Sequence, residues 1–287
     1  MNKILLTGAT GFIGSELLKD LSQNNKIYIT LRKKNNKDYK NKNIVKIYFN
    51  SYDKLNNKIK KIKVDTVIHC ATHYVKNHNF DDIRKLCESN ILFGNIILEN
   101  LELMKAKNFI NFSTIWENFN GEKDNCFNLY SVYKRSFNNL ISYYEKKLRK
   151  TKFINLVISD TFGKNDKRKK IINTLKSNYK KNLKTNIVSR NLYINILNVI
   201  DINNAVKLIL KNKYKSGTFL LKNKNDYQIS DIINFINNKL SKKIKIKWFS
   251  NKILKQKTYR YKVLKNWKPL NSKIKDIVRV INENNKN

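Results

Sequence analysis

Tyr130 and Lys134 stand four residues apart in an amphipathic stretch, a spacing that puts both side chains on one face of a helix. A phenol titrates near ~10, and a neighbouring ammonium favours its ionised form; lowering it by ~3 units takes about 4 kcal/mol of differential interaction. Such a tyrosine exchanges a proton with a carbinol or carbonyl oxygen at neutral pH. Upstream, Ser113-Thr114 closes an apolar run, at the kind of strand end where ligands gather in open α/β sheets. A hydroxyl there can bond to the reacting oxygen, so Thr114, Tyr130 and Lys134 form one candidate site.

A second motif supplies a cofactor for that chemistry. Thr7-Gly8-Ala9-Thr10-Gly11-Phe12-Ile13-Gly14 follows a strand-like run and opens an amphipathic helix, and it holds three of the chain's seven glycines. Gly8 suits a tight turn, Gly11 lets backbone approach a pyrophosphate, and Gly14 permits close packing of helix on strand. Free N–H groups at the helix start then hold phosphates, which makes Thr10, Phe12 and Ile13 candidate contacts beside the glycines. Asn50, Ala71 and Thr72, just past the third and fourth predicted strands, complete the set. At the end of the second strand, 24 residues beyond Gly8, stands Arg32 with Lys33 and Lys34 behind it. A carboxylate there would bond the ribose hydroxyls of NAD, whereas a guanidinium pairs with a 2′-phosphate. NADP(H) is therefore expected, with NAD(H) as the alternative.

His69, His73 and His78 fall within ten residues and invite a metal reading. His69 belongs to a buried-looking strand and no carboxylate or thiolate completes a plausible set, so no metal is expected. His73, just past the strand end, is a hydrogen-bond partner for substrate or an ordinary loop histidine. Cys70, Cys87 and Cys126 lack metal-ligand spacing and read as reduced thiols of a cytosolic protein.

These residues need a scaffold. Strand-like runs at Lys3 to Leu6, Lys26 to Leu31, Ile44 to Phe49, Thr66 to Cys70, Asn108 to Ser113 and Phe153 to Ser159 alternate with helical patterns at Phe12 to Gln23, Asn90 to Met104 and Tyr130 to Arg149. That alternation predicts βαβ units and a doubly wound, Rossmann-like parallel sheet. Residues 1–162 and 188–212 are assigned to this α/β core, and residues 163–187 and 213–287 to a smaller substrate-binding subdomain.

With 287 residues and a 41% apolar fraction the chain can bury a substantial core. Sixty basic against 21 acidic residues give a charge of +39, which suggests a nucleic-acid partner. Only eight of the sixty are Arg, however, and Lys, Asn and Ile are in excess throughout. A Lys-rich solvated surface without clustered Arg or aromatic platforms fits that bias, so no nucleic-acid partner is expected. Secretion and membrane spanning are not expected either, for lack of a leader pattern or a long apolar stretch. A cytoplasmic location follows.

Several of these features together resemble the extended short-chain dehydrogenase/reductases, also called the NAD-dependent epimerase/dehydratase family. They are the glycine turn, Val67-Ile68-His69-Cys70-Ala71, Asn90 at the opening of a helix, Ser113-Thr114, Tyr130-x-x-x-Lys134, Asp160-Thr161-Phe162-Gly163 and the segment Asn198 to Asp201. Within that family the chain is most similar to nucleotide-sugar reductases of the CDP-abequose synthase kind, through Thr114-x-Trp116 and Asp160 to Asp166. The resemblance implies that Thr114, Tyr130 and Lys134 are catalytic, that Tyr130 and Lys134 also reach the cofactor, and that Trp116 and Asp160 face the substrate. Ile194 replaces an Arg that many members use on the substrate diphosphate, so Arg190 or a Lys is expected in that role. Ile115 and Trp116 occupy the places of the Asp-Glu pair of dehydratases, which disfavours dehydration. The implied activity is NADP(H)-dependent reduction of a 4-keto (deoxy) nucleotide sugar, with a nucleotide-sugar 4-epimerase holding NAD as the alternative. A nucleotide-sensing or RNA-associated protein without turnover is a third class, and the intact Thr-Tyr-Lys set argues against it. Similar enzymes imply a homodimer formed through the helix bearing Tyr130.

Overall fold

The computed structural model describes residues 1–32, 39–255, 257 and 261–282; Lys33 and Lys34, the expected neighbours of Arg32, lie outside the described residues. In chain order the first half runs β1 (Lys3–Thr7), α1 (Phe12–Leu21), β2 (Lys26–Leu31), β3 (Ile44–Tyr48), α2 (Tyr52–Ile59), β4 (Thr66–His69), α3 (Phe80–Cys87), a π-helical turn (Glu88–Leu92), α4 (Phe93–Glu99), β5 (Asn108–Thr114), a 3₁₀ segment (Ile115–Gly121) and α5 (Leu129–Lys147). The second half runs β6 (Lys152–Ile158), β7 (Asp160–Phe162), α6 (Ile171–Lys180), β8 (Thr185–Ile187), β9 (Leu192–Ile194), β10 (Ile196–Asn198), α7 (Val199–Lys211), β11 (Gly217–Leu221), β12 (Tyr227–Gln228), α8 (Ile229–Asn237), β13 (Ile246–Trp248), β14 (Leu254–Lys255), β15 (Lys262–Val263) and α9 (Ile274–Asn282).

Eight strands form the main sheet in the order β15-β11-β6-β5-β4-β1-β2-β3, all parallel. Its strands are near-continuous apolar runs because both faces are covered. Successive residues point to opposite faces, so Ile4 and Leu6 pack with Leu17 and Leu18 of α1 and with Ile202 and Val206 of α7. Leu5 instead packs with Leu55 of α2, Ile97 of α4 and Phe137 of α5. The expected doubly wound sheet is thus present, and its order reverses between β1 and β4, where such folds open their ligand crevice.

A third apolar cluster joins α6, α8 and α9 around Phe162, Ile194 and Ile233, beside the small pairings β12-β9-β14, β13-β8 and β10-β7. The sequence assigned residues 163–187 and 213–287 to a smaller subdomain; the elements group along other limits. β11 and β15 extend the main sheet beyond β6, and Leu264 and Trp267 enter the core with α7, so the boundary drawn at residue 213 falls inside the core. Conversely β9, assigned to the core, pairs with β12 and β14. Sequence order misled here because the chain crosses between the two bodies more than once.

One buried carboxylate marks such a crossing. Asp201, fully buried at the start of α7, accepts from the backbone N–H of Asn271 (3.0 Å), its Nδ2 (2.9 Å) and the Ser272 hydroxyl (2.5 Å). Trp267 Nε1 donates to the Asp201 carbonyl (2.9 Å). A carboxylate without water needs these charge-assisted bonds, and they hold residues 267–272 against α7. Among the described residues no helix is long and apolar enough to cross a membrane.

Candidate active site

The reversal of strand order opens a cleft of about 1220 Å³, larger than the ~300–1,000 Å³ of a pocket for one small molecule. It is lined by Gly8 and residues 10–14, by Arg32 and Ser89, and by Thr114, Trp116, Tyr130 and Lys134.

The glycine turn is dictated by space. Gly8 has φ +67°, and a side chain there would meet the backbone of Cys70 and Ala71 at 2.6 to 2.8 Å; one on Gly14 would come within 2.1 Å of the Gly8 carbonyl oxygen. Gly11 precedes α1 without a side-chain cap, so the first N–H groups of the helix, those of Phe12, Ile13 and Gly14, have no partner within it. They border the cleft, and donors so placed fit an anion such as a pyrophosphate. Ala71 and Thr72 line the same region, whereas Asn50 is exposed and outside it; its neighbour Phe49 lines the cleft instead.

Arg32 Nη2 donates to Ser89 Oγ (2.8 Å). Ser89 and Asn90 sit in the π-helical turn, which interrupts the helix expected from Asn90 to Met104. Asn90 Oδ1 accepts from the Thr72 hydroxyl (3.0 Å) and the His73 N–H (2.7 Å), and its Nδ2 donates to the His73 carbonyl (3.1 Å). Asn90 therefore fixes the loop after β4. His69 is neutral, pushed down to about 3 by burial and by the Lys134 charge, and its Nδ1 bonds the Thr7 hydroxyl (3.0 Å). His73 lines the cleft with its Nε2 on Asp82 (3.1 Å), and His78 is exposed.

Tyr130 and Lys134 lie in the first turns of α5, which Asn128 caps by accepting from the Ser131 N–H (3.0 Å). Burial pushes the Tyr130 phenol up, opposed by a hydrogen bond with Thr72 and the Arg168 charge. The downward shift expected from Lys134 is absent, burial outweighs Thr72 and Arg168, and the phenol is held protonated. Lys134, buried, is pushed down to about 8 by desolvation, opposed by Glu117 and Cys70. Thr114 Oγ1 accepts from the Trp116 N–H (3.3 Å), which leaves its own proton for the cleft. Ser113 also lines the cleft but gives its proton to Glu117.

Beside the Phe12 end of the glycine turn stand residues that the sequence did not single out. Arg168 donates from Nε and Nη2 to both Asp166 oxygens (2.8 and 2.7 Å) and from Nη2 to Thr161 Oγ1 (2.8 Å), with its guanidinium 4.3 Å from the Phe12 ring centroid. Lys170 Nζ lies 5.3 Å from the Trp116 ring and 5.6 Å from that of Tyr74, and Tyr74 meets Tyr130 edge-on at 5.1 Å. Desolvation pushes Lys170 down to about 8, as does Arg168, against Asp160 and Asp166. Asp160 is itself raised by burial, opposed by Lys170 and Arg168; it lies behind these cations and is not among the residues lining the cleft. Arg190 is exposed and outside the cleft, its N–H bonded to the Ser250 carbonyl between β8 and β9. Arg168, Lys169 and Lys170 thus line the cleft together, in addition to Arg32, Lys76 and Lys134 elsewhere on its lining. One signal could have found them: Arg168 is among only eight arginines in a Lys-rich chain.

Comparison with known proteins agrees with this geometry. CDP-abequose synthase of Yersinia pseudotuberculosis is 26% identical over 241 residues, covering 82% of this chain and 83% of the relative. The structure of UDP-glucuronic acid 4-epimerase from Bacillus cereus, solved with a fluorinated UDP-sugar and NAD, superposes with a TM-score of 0.80 at 19% identity, covering 97% of this chain and 98% of that one. UDP-N-acetylglucosamine 4-epimerase from Methanobrevibacter ruminantium M1 gives 0.81 at 15% identity and covers 97% of each chain. The model of the NAD dependent epimerase/dehydratase family matches residues 4–220, a span that takes in the glycine turn, the Thr114, Tyr130 and Lys134 set and the Arg168 wall: the chain belongs to that family.

Proposed function

We propose that this protein is an NADP(H)-dependent reductase of a 4-keto (deoxy) nucleotide sugar. The observation that carries the reading is the joint placement, in one cleft, of a pyrophosphate cradle, Arg32, a protonated Tyr130 and a free Thr114 hydroxyl. The cradle fits a dinucleotide because side chains at Gly8 and Gly14 would collide with backbone. Arg32 and Ser89 would take the 2′-phosphate, and Lys134 the nicotinamide ribose. When bound, the dinucleotide supplies hydride to the carbon that bears the reacting oxygen. Tyr130 delivers the proton to that oxygen, Thr114 polarises it by donating a hydrogen bond, and the Lys134 ammonium stabilises the phenolate left behind. Arg168, Lys169 and Lys170 hold the substrate diphosphate, and Trp116 packs on the sugar. The similarity to CDP-abequose synthase over 82% of the chain supports a nucleotide-sugar substrate. Exposed apolar side chains on α3 and α5, Phe80, Val132 and Tyr143 among them, support a homodimer through that face.

The second reading is a nucleotide-sugar 4-epimerase, favoured by the structural likeness to 4-epimerases over 97% of the chain. Stopped-flow NADPH oxidation with 4-keto-6-deoxy nucleotide sugars, run beside a 4-epimerisation assay of their unoxidised relatives, separates the two. The reductase consumes NADPH stoichiometrically. Epimerisation without net NADPH loss, with NAD co-purifying, would replace it by the second reading; silence in both assays would sink the substrate class.

A further inference from the structure

Glu117 is a carboxylate that this chemistry leaves without a task. It is 3% exposed and does not line the cleft. Around it runs a chain of polar side chains whose donors point one way. Asn111 Nδ2 donates to Asn155 Oδ1 (2.8 Å), and Asn155 Nδ2 to Asn138 Oδ1 (3.2 Å). Asn138 Nδ2 donates to Ser113 Oγ (3.1 Å) and to Glu117 Oε2 (2.5 Å). The Ser113 hydroxyl and the Thr114 N–H (3.4 Å) then donate to Glu117 Oε1. Every contact ends on the carboxyl as acceptor, which is the pattern of an ionised group.

A buried charge is costly unless it is bonded and compensated. The hydrogen bonds satisfy its oxygens, and its compensating charge is found across α5. Lys134 faces Glu117 from α5, and faces Cys70 and His69 from β4 and its end. Glu117 also faces Tyr130 and Arg135 on α5, and Cys126 before it. Arg135 is already engaged by the Asp124 carboxylate and donates to the Glu117 carbonyl (3.2 Å). Lys134 has no such carboxylate partner within 4 Å among the described residues, and Glu117 is the first of the charges that act on it through space.

We propose that Glu117 is a positioning residue for the proton-transfer site: its carboxylate anchors Ser113 and the Thr114 N–H, so that Thr114 presents the free hydroxyl proton, and its charge balances the Lys134 ammonium through space. The inference rests on the reading of Thr114, Tyr130 and Lys134 as the site of turnover. Burial pushes the Glu117 carboxyl up, opposed by Ser113, Lys134, the Thr114 N–H and Arg135. Glu117 is in turn the first of the charges that support Lys134 against desolvation.

Replacing Glu117 by Gln removes the charge and puts an amide donor where only acceptors fit. Glu117→Gln is expected to keep fold and cofactor affinity and to lose about 10- to 100-fold in kcat, the scale of a small misplacement, with little change in KM. Without the anion the Lys134 ammonium is lost at a lower pH, so the alkaline limb of kcat moves toward acid. Glu117→Asp keeps the charge and withdraws it from Ser113 and Asn138: kcat falls less and the limb stays. Wild-type kcat and an unmoved limb in Glu117→Gln overturn the proposal. Should that variant fail to fold, carbon-13 NMR of labelled glutamate in the wild-type protein decides: the solvent-protected carboxyl is expected ionised near pH 7, and a protonated one overturns the proposal. That spectrum needs no substrate, so the two failures are distinguishable: a protonated carboxyl overturns this proposal alone, whereas a wild type silent in every assay overturns the reading of the site and this inference with it.

Discussion

The two walls of the cleft recognise by different physics. From Thr7 to Gly14 one wall contains no charged side chain; it offers backbone N–H groups and tolerances so tight that a methyl on Gly14 would lie 2.1 Å from a carbonyl oxygen. The wall that meets it at Phe12 is ionic, with Arg168 clamped by Asp166 and Thr161 and Lys170 suspended over Tyr74 and Trp116. Shape admits a ligand or refuses it, whereas charge tunes affinity by degrees and answers to pH and salt. Tyr130 and Lys134 line the same cleft, where on the proposed reading a dinucleotide and its substrate would meet.

The largest expected effect belongs to neither wall. Tyr130→Phe deletes the proton donor and leaves the ring's packing against Tyr74, so kcat in stopped flow is expected to fall by ~10² to 10⁴ with cofactor binding intact. Unchanged turnover would remove Tyr130 from the site. On the glycine wall, Gly14→Ala forces overlap with the Gly8 carbonyl, and overpacking of this kind costs ~1–3 kcal/mol. Calorimetric titration should show cofactor binding weakened roughly ten- to hundredfold with the KM for substrate little changed; a neutral result would mean that this wall gives way, and the contrast with the ionic one would collapse.

Arg32 brings charge recognition to the cofactor end. A charge-assisted bond is typically worth ~1.5 to 3 kcal/mol, so NADPH is expected to bind at least tenfold more tightly than NADH, and Arg32→Asp to reverse the order. Equal affinities in the wild type, measured by fluorescence titration, would remove the NADP assignment.

The smallest effect separates two lysines that are both pushed down to about 8. Each is charged below that pH and neutral above it. As pH rises through 8, KM for an anionic substrate should rise severalfold through Lys170, while kcat falls through Lys134. Lys170→Gln is expected to flatten the KM profile and leave the kcat limb where it was; a shifted kcat limb would show that the substrate wall and the proton-transfer site titrate together.

What was legible in the sequence follows the same division. The glycine turn, the strands β1 to β6 and the Tyr130 to Lys134 face are consequences of backbone geometry and local periodicity, and these are written in adjacent residues. The ionic wall was hidden because its lysine stands in a chain with sixty basic residues, and only contact with Tyr74, Trp116 and Asp160 sets it apart. Arg190 looked suitable by order along the chain, yet the strands around it pair with residues 246–255 and carry it outside the cleft. Glu117 escaped attention because the two positions after Thr114 hold Ile and Trp, and its task depends on Asn138, a residue brought to it by the packing of α5 on β5. Likewise the π-helical turn at Glu88–Leu92, which puts Ser89 beside Arg32, leaves no period of its own in so short a segment.

The bonds between Asp201 and residues 267–272 have a consequence for the order in which the molecule can be made. A ribosome delivers α1 to α7 well before the chain that satisfies that carboxylate, since domains generally fold as they emerge, at roughly 5–20 residues per second. Until Trp267, Asn271 and Ser272 arrive, α7 carries a bare anion on the face that must seat beside β10, and the β15 edge of the sheet is still missing. A nascent chain halted before residue 262 is thus expected to remain open to protease at α7, and the seating of α7 to be a late event in its synthesis.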